Sequence, residues 1–180
     1  MTISPADVPP ELAALDLDGF MRAALREAEL AGEAAEVPIG AVLVVGDAIV
    51  ARGRARHRAR QSQLAHAEMQ ALLAGGEALW RDYARAVLVT TREPCPMCLG
   101  AAVMADVPHI VFAAPDPIVH AAATIAANPY VRRHIKTYLG GILETEARAL
   151  VARFDRRYRR PEARGSEAGD ERRAPTRPGP

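Results

Sequence analysis

His66-Ala67-Glu68, followed by Pro94-Cys95-Pro96-Met97-Cys98, sets three soft ligands of the kind zinc prefers beside one carboxylate placed to move protons. Any fold the chain adopts must bring both segments to one ion. A catalytic zinc site keeps three protein ligands and leaves the fourth position to water. His66, Cys95 and Cys98 make such a set, with Glu68 left over as a non-ligand. The two cysteines are the only ones in the chain, so every thiol belongs to this motif.

With 180 residues, 49% of them apolar, the chain suits one globular domain with a full core. No apolar run approaches the roughly 20 residues that span a bilayer. Met1 to Pro10 has no basic segment leading into an apolar stretch, so no secretion signal is read there. A single Cys-x-x-Cys without other thiols argues for a reducing compartment, and the expected location is the cytoplasm. The net charge is +1, but from Arg156 to Pro180 eight arginines face four acids. That end is rich in Pro, Gly and Ser and poor in large apolar residues, which predicts a disordered tail over 159–180.

The chain divides into a flexible lead-in (1–15), a single main domain (16–158) and this tail. Apolar residues Leu17, Phe20, Met21, Ala24, Leu25 and Ala28 recur at helical spacing and predict an amphipathic helix over Asp16 to Ala35. Val37 to Val45, the turn Gly46-Asp47 and Ala48 to Ala51 read as a hairpin of buried strands. A helix from His66 to Leu73 is expected to stop at Gly75-Gly76. Ala86 to Thr91 is a strand, Pro96 to Ala105 a helix and His109 to Ala113 a strand. Ile118 to Arg133 is helical with an interruption at Pro129. Ile135 to Leu139 is a fifth strand and Glu144 to Arg157 a last helix. Helix, two antiparallel strands, then strands alternating with helices implies an α/β fold, a mixed sheet covered on both faces.

Both halves of the motif sit where a loop enters a helix, and Pro94 and Pro96 suit a helix start. A helix N-terminus favours negative charge and so promotes thiolate formation. Two thiolates and a neutral imidazole balance the charge of Zn2+, which acidifies a bound water toward neutrality. Glu68, two residues beyond a ligand, is placed to accept that water's proton and pass it on. Two other readings compete. Cys-x-x-Cys alone suits a thioredoxin-like redox pair, and a structural zinc would take a fourth ligand from His57, His109, His120 or His134. His-x-Glu upstream speaks against the first, and the lack of tight histidine spacing against the second.

The order H-x-E, then P-C-x-x-C, is a signature of zinc base deaminases. From about Phe20 to Phe154 the sequence resembles the cytidine-deaminase-like superfamily. The branch is that of tRNA adenosine deaminases, guanine deaminases and fungal-type cytosine deaminases. The resemblance rests on Glu36-Val37-Pro38-Ile39-Gly40-Ala41-Val42, Ala65-His66-Ala67-Glu68 and Glu93-Pro94-Cys95-Pro96-Met97-Cys98-Leu99-Gly100-Ala101. It implies zinc on His66, Cys95 and Cys98, and Glu68 as the proton shuttle that also protonates the departing amine. It places Gly40, Ala41 and Ala67 beside the substrate, and implies a five-stranded three-layer α/β/α sheet and a homodimer.

Departures from the family pattern bear on substrate. Alignment on His66 puts Ala55 where an asparagine usually contacts base or ribose. Leu64 stands where threonine is common. Asp116-Pro117-Ile118-Val119-His120-Ala121-Ala122 replaces a Gly-Ala-x-Gly-Ser stretch of tRNA deaminases. Asp116 is then expected to accept a hydrogen bond from a substrate amino group, and Asn128 to be a turn residue. Arg52, Arg54, Arg56, Arg58 and Arg60, if extended, would form one stripe suited to phosphates. Against this, the chain uses arginine nearly throughout (Lys136 is its only lysine), and no aromatics interleave the run. Phe112, Trp80 and Tyr83 are expected in the core. The preferred substrate on these grounds is a free nucleobase or related amino-heterocycle. A tRNA adenosine deaminase is the alternative, and a catalytically silent zinc-binding dimer or RNA-binding scaffold a third. Glu68, which a silent relative would not need, argues against the last.

Overall fold

A computed structural model describes residues 8–154. The first seven residues of the lead-in and the arginine-rich tail lie outside the described residues. Five strands form one sheet: β1 (Gly40–Val45), β2 (Ala48–Arg54), β3 (Ala86–Arg92), β4 (His109–Ala114) and β5 (Thr137–Gly140), in the order β2-β1-β3-β4-β5. β1 runs antiparallel to both β2 and β3, while β3, β4 and β5 are parallel. This is the expected mixed sheet. Its inner strands are buried along nearly their whole length because helices cover both faces.

The helices are α1 (Pro10–Ala13), α2 (Leu17–Glu33), α3 (His57–Arg60), α4 (Ala67–Asp82), α5 (Pro96–Met104), α6 (Ala121–Ala127), α7 (Pro129–His134) and α8 (Glu144–Phe154). Alternate strand residues serve alternate layers, as the period of two requires. Val42, Val44, Val87, Val89, Val111 and Leu139 meet Leu17, Met21 and Ala24 of α2 and Ala147 of α8. Ala41, Leu43, Leu88, Ile110, Phe112 and Tyr138 meet Ala67, Ala71 and Leu79 of α4 and Leu99, Ala102 and Val103 of α5. The functional motif lies on this second face. α2 begins with the Asp16 carboxylate accepting from Gly19 N–H at 2.9 Å, a standard cap. Its alanines let β1 approach until a Cβ on Gly40 would overlap the Ala24 carbonyl oxygen.

Several expectations are corrected. Part of the lead-in is ordered: α1 forms and Leu12 is buried. The expected stop at Gly75-Gly76 is a break with non-helical geometry at Gly76 (φ 46, ψ −127), and a second helical segment, not expected, carries α4 on to Asp82. The helical stretch after β4 begins only at Ala121, while its expected interruption at Pro129 separates α6 from α7, which the Asn128 side chain caps. Phe112 is core, but Trp80 is 83% exposed and Tyr83 48%. The arginine run is not one extended stripe, because β2 ends at Arg54 and α3 begins at His57. Among the described residues no helix is long and apolar enough to cross a membrane.

Candidate zinc site

His66 is the residue preceding the first turn of α4, and Cys95 holds the same position on α5. The two helices lie on one face of the sheet, and α5 follows the carboxyl end of β3. Their N-termini therefore meet, and their partial positive charges favour thiolates and a developing anion there. His66 Nδ1 lies 3.6 Å from Cys95 Sγ and 3.5 Å from Cys98 Sγ, and the two sulfurs are 3.6 Å apart. Tetrahedral zinc with ordinary Zn–S and Zn–N bonds sets ligand atoms about 3.5–3.8 Å apart. The triangle has the size and the donor chemistry of a zinc site, and the three ligand atoms form the metal-binding group found among the described residues. The hydrogen bond from Cys98 pulls the Cys95 pKa down to about 5, while the same contact, burial and nearby Glu68 push that of Cys98 up.

Glu68 is 3% exposed, in the first turn of α4. Burial holds its carboxyl above the usual range, against the opposing pull of its own backbone N–H and His66. Its Oε2 is 3.5 Å from Cys98 Sγ and its Oε1 3.2 Å from the Thr90 hydroxyl. The carboxylate thus stands beside the three atoms that would hold a zinc ion, and its raised affinity for protons suits a group that takes and returns them. Thr90, a polar residue closing an apolar strand, was not singled out from sequence. Its hydroxyl also lies 3.4 Å from the Gly40 carbonyl, and Thr91 Oγ1 accepts from Gly40 N–H at 3.2 Å. Gly40 therefore sits one hydroxyl away from Glu68. Ala41 is fully buried beside it, paired with Thr90 on one side and Gly53 on the other. Ala67 is fully buried under β2.

Asp116, expected to accept from a substrate amino group, has partners within the chain. Its Oδ2 accepts from Arg92 at 2.7 and 2.9 Å and its Oδ1 from Ile118 N–H at 2.9 Å. Burial alone would raise its carboxyl, but these donors outweigh it and hold it below the usual range. Glu93, quoted in the motif but given no role, is the buried organiser of this side. Its Oε2 accepts from Asp116 N–H at 2.8 Å. Its Oε1 accepts from Ala121 N–H at 3.2 Å and from the Tyr138 hydroxyl at 3.0 Å. His57 packs edge-on against His66 with ring centroids 5.0 Å apart. Ala55, in the place of the family's asparagine, is 1% exposed and offers no polar atom from its side chain.

The family described as the cytidine and deoxycytidylate deaminase zinc-binding region matches residues 16–114. The tRNA-specific adenosine deaminase of Bacillus subtilis is 39% identical over 145 residues, 78% of this chain and 89% of that enzyme. A solved tRNA:A34 deaminase, described for A-to-I editing at the wobble position of transfer RNA, superposes with a TM-score of 0.66. It is 35% identical and covers 73% of this chain and 98% of that one. A guanine deaminase from Nitrosomonas europaea shares the fold at 22% identity, with a TM-score of 0.62 and 86% of each chain covered.

Proposed function

The chain belongs to the cytidine and deoxycytidylate deaminase zinc-binding family and is a zinc-dependent hydrolytic deaminase acting on C–N bonds, and from that premise we propose that it converts an adenosine of transfer RNA to inosine. The observation that carries this is the identity of 39% with a tRNA-specific adenosine deaminase across nearly all of that enzyme's length. It favours the tRNA reading over the free nucleobase preferred from sequence.

His66, Cys95 and Cys98 hold the zinc, and Glu68 is the catalytic residue. Bound zinc supplies Lewis acidity toward a water. Glu68 takes a proton from the attacking water and delivers it to the ring nitrogen next to the amino-bearing carbon, while the water oxygen bonds to that carbon. It then carries the second water proton to the amino group. The C–N bond breaks, ammonia leaves, and the carbonyl of inosine remains. Thr90 holds the Glu68 carboxylate through its hydroxyl, and the backbone at Gly40 and Ala41 flanks the base. The enzyme works in the cytoplasm as a homodimer. Leu73 and Trp80 of α4 and Met104 of α5, all strongly exposed apolar residues on the site-bearing layer, support a second copy there.

A free amino-purine is the second reading, favoured by Ala55, which leaves the usual base-contacting amide without a replacement. Ammonia release and inosine formation from an anticodon stem-loop with adenosine at the wobble position, beside guanine, cytosine and adenosine, separate the two. Inosine should form in the stem-loop, whereas turnover of free bases alone would overturn the tRNA reading. Glu68→Gln should keep about one zinc per chain and lose at least about 10²-fold in turnover. Unchanged turnover would remove Glu68 from the mechanism.

A further inference from the structure

The zinc chemistry leaves the arginines between Arg52 and Arg60 unused, and the structure divides them into two groups. Arg54 leaves β2 toward α2, where it pairs with Glu27 at 3.4 Å. Arg52 shares that face of the strand by the alternation of β2 and is exposed. Gly53, between them, faces α4 on the zinc side. Arg56, Arg58 and Arg60 lie beyond the strand, on the loop that carries α3, and all three are exposed.

That loop is held rigidly against the site. Arg56 N–H donates to the Ala65 carbonyl at 2.9 Å, one residue before the zinc ligand, and Ser62 N–H to the His57 carbonyl at 3.0 Å. The Glu36 carboxylate accepts from Arg58 N–H at 3.0 Å and Ala59 N–H at 2.8 Å. His57 rests on His66. Among the described residues Arg56 and Arg60 have no ion-pair partner. Arg58 has only the field of Glu36, whose oxygens are already bonded to backbone. Three solvated guanidinium groups thus stand on a fixed turn at the zinc site, with the exposed side chain of Leu64 (64%) on the same loop.

An uncharged nucleobase presents no anion to such a group, whereas a polynucleotide presents a phosphate on either side of each base. Guanidinium matches phosphate oxygens in a two-pronged geometry, and an apolar neighbour suits the face of a base. We propose that the α3 loop is the RNA-gripping edge of the site. Arg56, Arg58 and Arg60 bind the phosphates flanking the nucleotide to be deaminated. Leu64 lies under an adjacent base. This rests on the tRNA reading and adds which surface holds the RNA.

The test compares the zinc-loaded full chain with Arg56→Ala/Arg58→Ala/Arg60→Ala and with Arg52→Ala. Arg52→Ala removes one charge from the face of the sheet away from the zinc. Binding and deamination of the anticodon stem-loop are measured across about 50 to 300 mM salt, a range over which phosphate binding weakens steeply. The triple variant should raise KM about 10-fold or more at low salt. It should flatten the slope of log K against log salt by roughly 0.7 for each phosphate no longer neutralised, with kcat at saturating RNA unchanged. Arg52→Ala should change neither KM nor slope. An unchanged slope in the triple variant, or an equal flattening per charge in Arg52→Ala, would overturn the assignment while leaving stem-loop deamination intact. A wild-type protein that neither binds nor deaminates the stem-loop would overturn the tRNA reading and this inference with it.

Discussion

Gly53 carries no side chain because α4 leaves no room for one. A Cβ there would overlap the Ala67 carbonyl oxygen and stand 2.5 Å from the Ala71 backbone nitrogen. Both are backbone atoms and cannot rotate aside. Ala67 lies between His66 and Glu68, so pressure on it moves the candidate zinc ligand and the proposed proton shuttle together. Overpacking of this kind costs about 1–3 kcal/mol, and a displacement near 1 Å at reacting groups costs about 10²-fold in rate. Gly53→Ala should therefore lower the melting temperature and cut turnover about 100-fold, more than its stability loss explains at a temperature where it remains folded. Wild-type turnover in this variant would show that β2 does not set the position of α4's first turn. His66, Glu68, Cys95 and Cys98 were legible in the sequence because few residue types bind zinc or carry protons and their spacing is tight. Gly53 was not, since its meaning lies in how closely two backbones approach. The Arg92–Asp116 pair was not legible either, since the two residues are distant along the chain.

At the level of elements, the ends of β3 and β4 are tied by a single buried carboxylate. Glu93 directly follows β3, one residue before Pro94 and two before Cys95, and it receives three donors from the 116–121 segment and β5. Glu93→Gln keeps the shape but replaces one acceptor oxygen by an amide nitrogen, which faces N–H or O–H donors. One buried donor then loses its partner, at a cost of about 1–3 kcal/mol. That segment and the cysteine loop leave the carboxyl ends of adjacent parallel strands and are joined through Glu93. The expected outcome is a lower melting temperature, zinc content near that of wild type, and a rise in KM larger than the fall in kcat. Equal KM in the variant would mean that the 116–121 segment does not meet the substrate. The run of elements was readable from periodicity, and its boundaries less so. The first segment of α4 ends at Gly75-Gly76, as expected, with Gly76 at positive φ; Gly75 is buried against Leu43, and a second segment brings Leu79 back to the core. Gly76 takes the left-handed φ that glycine tolerates, so the break is kept and only the second segment was not foreseen. Trp80 and Tyr83, expected in the core, are exposed, the first on this second segment and the second just beyond its end at Asp82.

For the molecule as a whole, two buried clusters hold the sheet from both sides, and neither includes His66, Cys95 or Cys98. This separates the chain from small zinc modules, which are unfolded without metal because they have no other core. Here zinc adds to stability only by binding the folded state, by an amount that grows with the logarithm of zinc concentration over its dissociation constant. The two thiols and the imidazole stand at ligand distances at two helix starts built on the core. A chelated protein should therefore keep its far-ultraviolet circular dichroism at room temperature while its melting temperature falls by several degrees and deaminase activity disappears. Adding one equivalent of Zn2+ should restore both the melting temperature and the activity without a refolding step. Loss of secondary structure on chelation would show instead that the triangle forms around the ion, and that the meeting of the α4 and α5 N-termini is a consequence of metal binding and not its precondition.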